Sequence, residues 1–250
     1  VYHLAAIPGQ KWGISKQEYY RFNVQATAEL LKNCQGKIKR FIFCSSINAV
    51  SKDNKFTRDE YGKSKWQAEQ IIHEYQEKGL KTVILRPSVV YGPGDTGGMM
   101  LKLCRFIKEK RFYMVGSGQN VVSLVYIDDV IEAFIKALDC QPSGGIYEIV
   151  GPDILSIKEI TRQIAEILKV SQPKIAIPIW LARLAAFFSE LFSWLLNLEP
   201  LVTQHRVDII TKNQSFDLVK AKEKLEYIPL VRFEEGIKKT IKWYQEHGYL

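Results

Sequence analysis

Apolar positions along this 250-residue chain fall into short runs rich in β-branched and aromatic residues, which alternate with longer stretches of helical period. The pattern predicts strands over Val1–Ala6, Lys39–Ser45 and Thr82–Leu85, and helices over Tyr19–Cys34 and Tyr61–Lys78, the second stopping at Gly79, a residue suited to a left-handed cap. Three strands and two connecting helices in about 90 residues mark a parallel sheet with crossover helices. Beyond Tyr91 the pattern loosens into a Gly/Pro loop over residues 92–98, a helix near Met99–Glu109, a strand around Tyr113–Gly116 and a strand over Val121–Ile127. Asp128 and Asp129 read as N-caps of a helix to Leu138, and Gly145–Val150 returns as a strand. Ser156 and Glu159 form a capping box opening a helix to Lys169, and a last helix covers Phe233–His247.

The segment from Ile179 to Leu198 departs from this alternation, because twenty residues carry only Arg183 and Glu190 as charges. Arg183, Ala186, Glu190, Ser193 and Asn197 recur at spacings of three and four, so a narrow polar stripe runs along an otherwise apolar helix. Two charges near the middle argue against a membrane span. A core or lid helix and a helix facing a membrane surface or an apolar substrate are the two readings that remain.

A hydrophobic share of 46% excludes a disordered chain. The net charge of +8 comes from 35 basic residues interspersed with 27 acidic ones, and no aromatic-plus-basic motif accompanies them, so a nucleic-acid partner is not expected. Cys34, Cys44, Cys104 and Cys140 form no Cys-x-x-Cys pair, which excludes a disulfide framework and a zinc site of the usual spacing; no metal is expected, and a reducing cytoplasm fits. The chain opens directly on a strand with no signal-peptide pattern.

Tyr61 and Lys65 stand four apart on the second predicted helix, so both side chains emerge on one face. An ammonium beside a phenol favours the phenolate and brings an acid/base group of pKa about 10 nearer neutrality. Chance alone supplies roughly one such pair in a chain of this composition, so the surrounding order carries the specificity.

That order is Val1–Ala6, Asn23-Val24 with Thr27, Phe41–Ile47, Tyr61–Glu69, Leu85–Gly94, Tyr126–Val130 and Asp217–Glu235. Together these motifs resemble the extended short-chain dehydrogenase/reductase family of NAD-dependent epimerase/dehydratase type. The resemblance implies an α/β fold, a Rossmann-type doubly wound parallel sheet with a smaller C-terminal substrate domain. The dinucleotide-binding core would be residues 1–91 and 121–150, and the substrate domain residues 92–120 and 151–250. It also implies Tyr61 as acid/base, Lys65 as the group that lowers its pKa and holds the nicotinamide ribose, and Ser46, with Ser45 as alternative, as the hydroxyl on substrate. Cofactor contacts are implied at Ala5, Ala6, Asn23, Ser45, Tyr61, Lys65 and Pro87, with NAD or NADP as cofactor. His3 is expected to be structural.

The glycine-rich phosphate fingerprint of such folds is absent from the first turn. Gly92-Pro93-Gly94-Asp95-Thr96-Gly97 matches the spacing, but Pro93 removes an amide that would face phosphate, so it is not the fingerprint. Against the family pattern Val1 falls on an inner strand, so a first βαβ segment of some sixty residues is expected ahead of it. Val89 and Val122 stand where nucleotide-sugar epimerases of the family commonly carry asparagine and arginine, and Ser45-Ser46-Ile47 with Ser123–Ile127 looks like the 3β-hydroxysteroid dehydrogenase and flavonol-reductase branch. The connection from Ser46 to Tyr61 is shorter than usual there. The expectation is an oxidoreductase on a secondary alcohol or ketone of a partly apolar small molecule. Its rivals are a nucleotide-sugar epimerase or dehydratase with tightly held NAD, and a non-catalytic nucleotide-binding scaffold. A homodimer and a peripheral membrane contact through residues 179–198 complete the expected partners.

Overall fold

The computed structural model describes residues 1–49, 59–140, 144–173, 175–196, 198–200, 202–211, 213 and 218–250. Most of the connection between Ser46 and Tyr61, Asn197 of the polar stripe and Asp217 lie outside the described residues. In chain order the elements are β1 (Tyr2–His3), α1 (Lys16–Tyr19), a π-helical turn (Tyr20–Gln25), α2 (Ala26–Cys34), β2 (Phe41–Cys44), a 3₁₀ turn (Ile47–Ala49), α3 (Glu60–Glu77), β3 (Thr82–Pro87), β4 (Val89–Tyr91), α4 (Met99–Lys108) and β5 (Met114–Val115). There follow β6 (Val121–Tyr126), α5 (Ile127–Lys136), β7 (Gly145–Ile149), β8 (Ile154–Ser156), α6 (Ile157–Ile167), β9 (Ala176–Ile177), α7 (Ile179–Leu196), α8 (Gln204–Thr211), α9 (Val219–Leu225) and α10 (Phe233–Glu246). They form two compact units, one of Val1–Ser88, Asp128–Val150 and Asp217–Pro229, the other of Val89–Ile127, Gly151–Phe216 and Leu230–Leu250.

The first unit is built on a parallel sheet of order β1-β2-β3-β7, with Phe43 opposite Ile84 and Leu85 opposite Tyr147. Phe41, Ile42, Val83, Ile84 and Leu85 are buried whichever face they point to, because helices cover both sides. On one side Phe41, Phe43 and Ile84 meet Leu31 of α2 and Ala68 and Ile72 of α3. On the other, Tyr2 packs edge-on against Phe134 of α5, and Arg40 Nη1 donates to the Ala137 carbonyl at 2.8 Å. This is the doubly wound Rossmann-type arrangement.

Two elements differ from the sequence pattern. β1 ends at His3 rather than Ala6, because the chain beyond it turns to Asn23: the Ile7 amide donates to Asn23 Oδ1 at 2.8 Å. The expected helix over Tyr19–Cys34 is divided by the π turn, a feature hydrophobic periodicity does not report, and Asn23 and Val24 are its buried residues. α3 starts where the Asp59 side chain accepts the Gly62 amide, and the chain leaves it through Gly79 at φ 91°.

The second unit holds the parallel pair β4-β6 with antiparallel β8, and a separate parallel pair β5-β9. Its core joins Met100 and Leu101 of α4, Ile160 and Ile164 of α6 and Ile237 of α10. Gly236 has to be glycine, since a Cβ there would stand 2.6 Å from the Tyr91 hydroxyl and 2.8 Å from the Tyr126 ring. The capping box of Ser156 and Glu159 is present, whereas Asp128 and Asp129 lie in the first turn of α5 and complement its dipole instead of capping it. The boundary also moves: residues 121–127 belong to the second unit because β6 pairs with β4 and β8, and residues 217–229 belong to the first. In the glycine-rich loop, Asp95 Oδ1 accepts the Gly98 amide at 2.7 Å, so a carboxylate already occupies the N-terminus of α4. α7 is not a core helix, since only Ala182 and Ala186 of it are buried.

Replacing Ile84, 1% exposed, by alanine is expected to cost about 2–5 kcal/mol in urea unfolding. Val90→Ala, at a site 37% exposed, should stay within about 0.5 kcal/mol.

Candidate active site

In the first unit, α3 lays Tyr61, Lys65 and Glu69 along one face at successive intervals of four. The C-terminal end of β2 leads into Ser45 and Ser46. Ser46 stands near enough to the Tyr61 phenol to favour its ionised form, and Ser46 Oγ accepts the Asn48 amide at 3.2 Å. Gln10 Oε1 accepts the backbone amides of Glu60 and Tyr61 at 3.1 and 3.3 Å, tying the start of α3 to the loop after β1.

Burial pushes the Tyr61 phenol up to about 12, the Ser46 hydroxyl pulls it down, and Cys44, Asp59 and Tyr19 push it further up. Lys65 is absent from that balance. Its Nζ donates to the Cys44 carbonyl at 2.8 Å and lies 4.8 Å from the centre of the Phe43 ring. Burial lowers the Lys65 pKa, while Cys44 and Glu69 raise it. The ammonium is thus directed at a backbone carbonyl and an aromatic face. The phenol rests protonated at neutral pH, the form a general acid requires.

Ser45 and Ser46 separate into different roles. Ser45 is buried and its Oγ donates to Glu69 Oε1, so it faces away from the phenol. Glu69 has no exposure, and Arg86 at the end of β3 binds it bidentately through Nε at 2.9 Å and Nη2 at 2.5 Å. Sequence reasoning missed this Ser45–Glu69–Arg86 cluster, although the spacing Tyr61, Lys65, Glu69 was a signal for it. Asn23 is likewise engaged internally: besides accepting from Ile7, its Nδ2 donates to the Ile7 carbonyl at 3.2 Å and to Ser64 Oγ at 2.9 Å. It fastens the loop carrying Ala5 and Ala6 to α3. His3 is structural in its contacts: Thr27 donates its hydroxyl proton to the Asn23 carbonyl, so the imidazole Nε2 is the donor in the 2.9 Å contact with Thr27 Oγ1. Burial first, and then Lys65, lowers its pKa.

Tyr61, Ser46 and Lys65 thus gather at the carboxyl end of β2, while Ala5 and Ala6 follow β1 and Pro87 ends β3. This is the edge at which open parallel α/β sheets bind ligands. Its residues fit a dinucleotide: small side chains at Ala5 and Ala6 leave backbone accessible, Lys65 offers a cation, and the Ser88 hydroxyl just beyond β3 is buried without a partner.

A family model described as "NAD dependent epimerase/dehydratase family" matches residues 1–150. The chain belongs to that family. It is 30% identical to the 3beta-hydroxysteroid-dehydrogenase/decarboxylase isoform 1 of Arabidopsis thaliana over 96% of its own length and 61% of that protein's. It spans 47% of the length of isoform 2. It is 28% identical to the N-acetyl-alpha-D-glucosaminyl-diphospho-ditrans,octacis-undecaprenol 4-epimerase of Escherichia coli O157:H7, covering 92% of the chain and 73% of the relative. The UDP-glucuronic acid 4-epimerase of Bacillus cereus in complex with NAD superposes with a TM-score of 0.75 at 26% identity, covering 98% of this chain and 74% of that one. Membership in the family agrees with the parallel sheet and with the motif order along the chain.

Glu69→Ala would leave the Arg86 guanidinium and the Ser45 hydroxyl without their carboxylate, and should cost about 3–5 kcal/mol in urea unfolding. The folded chain holds the Tyr61 proton to about 12, while an unfolded tyrosine releases it near 10.0. Between those values the unfolded chain binds fewer protons, so stability falls as pH rises. Tyr61→Phe should make that fall shallower, as read from urea midpoints measured across this window.

Proposed function

We propose that this chain carries the catalytic part of an NAD(P)-dependent oxidoreductase acting on a secondary alcohol or ketone of a partly apolar small molecule. The observation that carries the reading is the placement of Tyr61 and Lys65 one turn apart on α3, with the Lys65 ammonium donating to the Cys44 carbonyl at 2.8 Å and Ser46 next after Ser45 at the carboxyl edge of a parallel sheet. The family description, which names NAD, supports that cofactor. When bound, the nicotinamide supplies the acceptor or donor of a hydride. Ala5, Ala6, Lys65 and Pro87 are the residues that would hold it. The protonated Tyr61 phenol gives its proton to the substrate oxygen when a ketone is reduced, and takes it back when an alcohol is oxidised. Ser46 orients the phenol and stabilises the oxygen that shares its proton. Lys65, one turn from Tyr61 on α3, would hold the cofactor when that is bound, and its positive charge would favour the phenolate.

An apolar substrate is supported by Val89 and by the likeness to sterol-type dehydrogenases such as the Arabidopsis protein. Val122, at 1% exposure, belongs to the core of the second unit. A cytoplasmic setting accords with the free thiols of Cys34, Cys44, Cys104 and Cys140. The likeness to the Bacillus and Escherichia epimerases favours a second reading, in which the hydride returns to the same substrate and NAD stays bound.

In the protein from which this chain comes, Tyr61→Phe should lower turnover by about 10² to 10⁴ with cofactor affinity nearly unchanged. Lys65→Met should reduce both, measured by steady-state kinetics and calorimetric titration of NAD and NADP. A small loss of turnover in Tyr61→Phe would overturn the assignment. Cofactor that co-purifies and does not exchange would favour the epimerase reading.

A further inference from the structure

α7 has the polarity of an ordinary surface helix reversed. Its polar side chains are turned to its own unit: Arg183 Nη2 donates to Asp208 Oδ1 at 2.8 Å, Glu190 Oε1 accepts the Gln204 amide at 2.8 Å, and Ser189 Oγ accepts the Val202 amide at 3.1 Å. Ala182 and Ala186 pack there against Val207 of α8. At about 100° per residue these positions share one arc of the helix. The opposite arc carries Trp180, Leu184, Phe187, Leu191, Trp194 and Leu195, between 38% and 79% exposed. Exposed large apolar side chains gathered on one arc of a helix mark an interaction surface.

We propose that α7 lies in the plane of a lipid bilayer surface, its apolar arc among the acyl chains and α8 on the aqueous side. A protein partner on this face would bring about one hydrogen bond per 100–200 Å² of interface. This arc offers only the indole N–H groups of Trp180 and Trp194, one near each end of the helix. A bilayer asks for no hydrogen bonds in its interior and accepts indoles at the headgroup level. Both indoles lie on the same arc, so in a helix parallel to the surface they reach the same depth. The helix is apolar enough to be a span by composition. Its polar arc, however, is closed by α8, whose Gln204, Arg206 and Asp208 would have to enter hydrocarbon with it, and that excludes spanning in this fold. The net charge of +8 adds attraction to anionic headgroups.

The test is co-sedimentation of the chain with vesicles of phosphatidylcholine, alone and mixed with phosphatidylglycerol, alongside quenching of tryptophan fluorescence by brominated acyl chains. The expected result is binding that strengthens with the anionic lipid, quenching that weakens in Trp194→Tyr, and release by an alkaline carbonate wash. Phe187→Glu combined with Leu191→Glu should lower partitioning by at least about tenfold. Both positions are exposed, so the circular-dichroism melt of this variant should match the parent. A chain that stays in the supernatant with both vesicle types and shows no quenching overturns the proposal. So does retention after the carbonate wash, which would mean a span. A homodimer in sedimentation velocity that the double variant dissociates, without vesicle binding, would assign the face to a second copy. None of these readouts uses turnover, so their failure leaves the oxidoreductase reading standing.

Discussion

Glu69 is a carboxylate with no exposure in the middle of α3, and an isolated charge so placed would be costly. It is tolerated because three elements converge on it: Arg86 from the end of β3 as a bidentate partner, Ser45 from the turn after β2 as a donor, and α3 itself. The contact fixes the distance between the helix carrying Tyr61 and Lys65 and the strand end carrying Ser46. A hydrophobic isostere would bury as well, but would not specify which residue of the β2 turn faces the helix. Ser45 is thereby committed to Glu69, which leaves Ser46 as the hydroxyl not engaged by this cluster.

Above it, burial sets the electrostatics of the site. Burial dominates both titrating groups and acts in opposite senses, holding the phenol proton on Tyr61 and loosening the ammonium proton of Lys65. The Cys44 carbonyl accepts the ammonium and keeps its charge satisfied.

The second unit obeys a different constraint. Its core of α4, α6 and α10 is closed by ordinary apolar burial, with Gly236 admitting the rings of Tyr91 and Tyr126. α7 instead uses its few polar groups internally and presents its apolar ones outward. The division between a conventionally covered core and an uncovered helix follows from α8, which supplies the polar partners that turn α7 around.

The sequence by itself determined the parallel sheet, the helix bearing Tyr61 and Lys65 and the capping box at Ser156, because these rest on local period and spacing. The π turn within Tyr19–Cys34 escaped it, since a single widened turn leaves hydrophobic periodicity almost unchanged. Only the tertiary structure decided that Ser45 and not Ser46 serves Glu69, that Asn23 fastens the loop at Ile7, and that Lys65 rests on Cys44. It alone decided which face of α7 looks outward: the stripe of Arg183 and Glu190 was visible as a pattern, but a pattern does not say on which side the partners stand. The physical reason is common to all of these. Period reports which residues share a face, whereas hydrogen bonds between residues 17, 24 or 41 positions apart decide what that face meets.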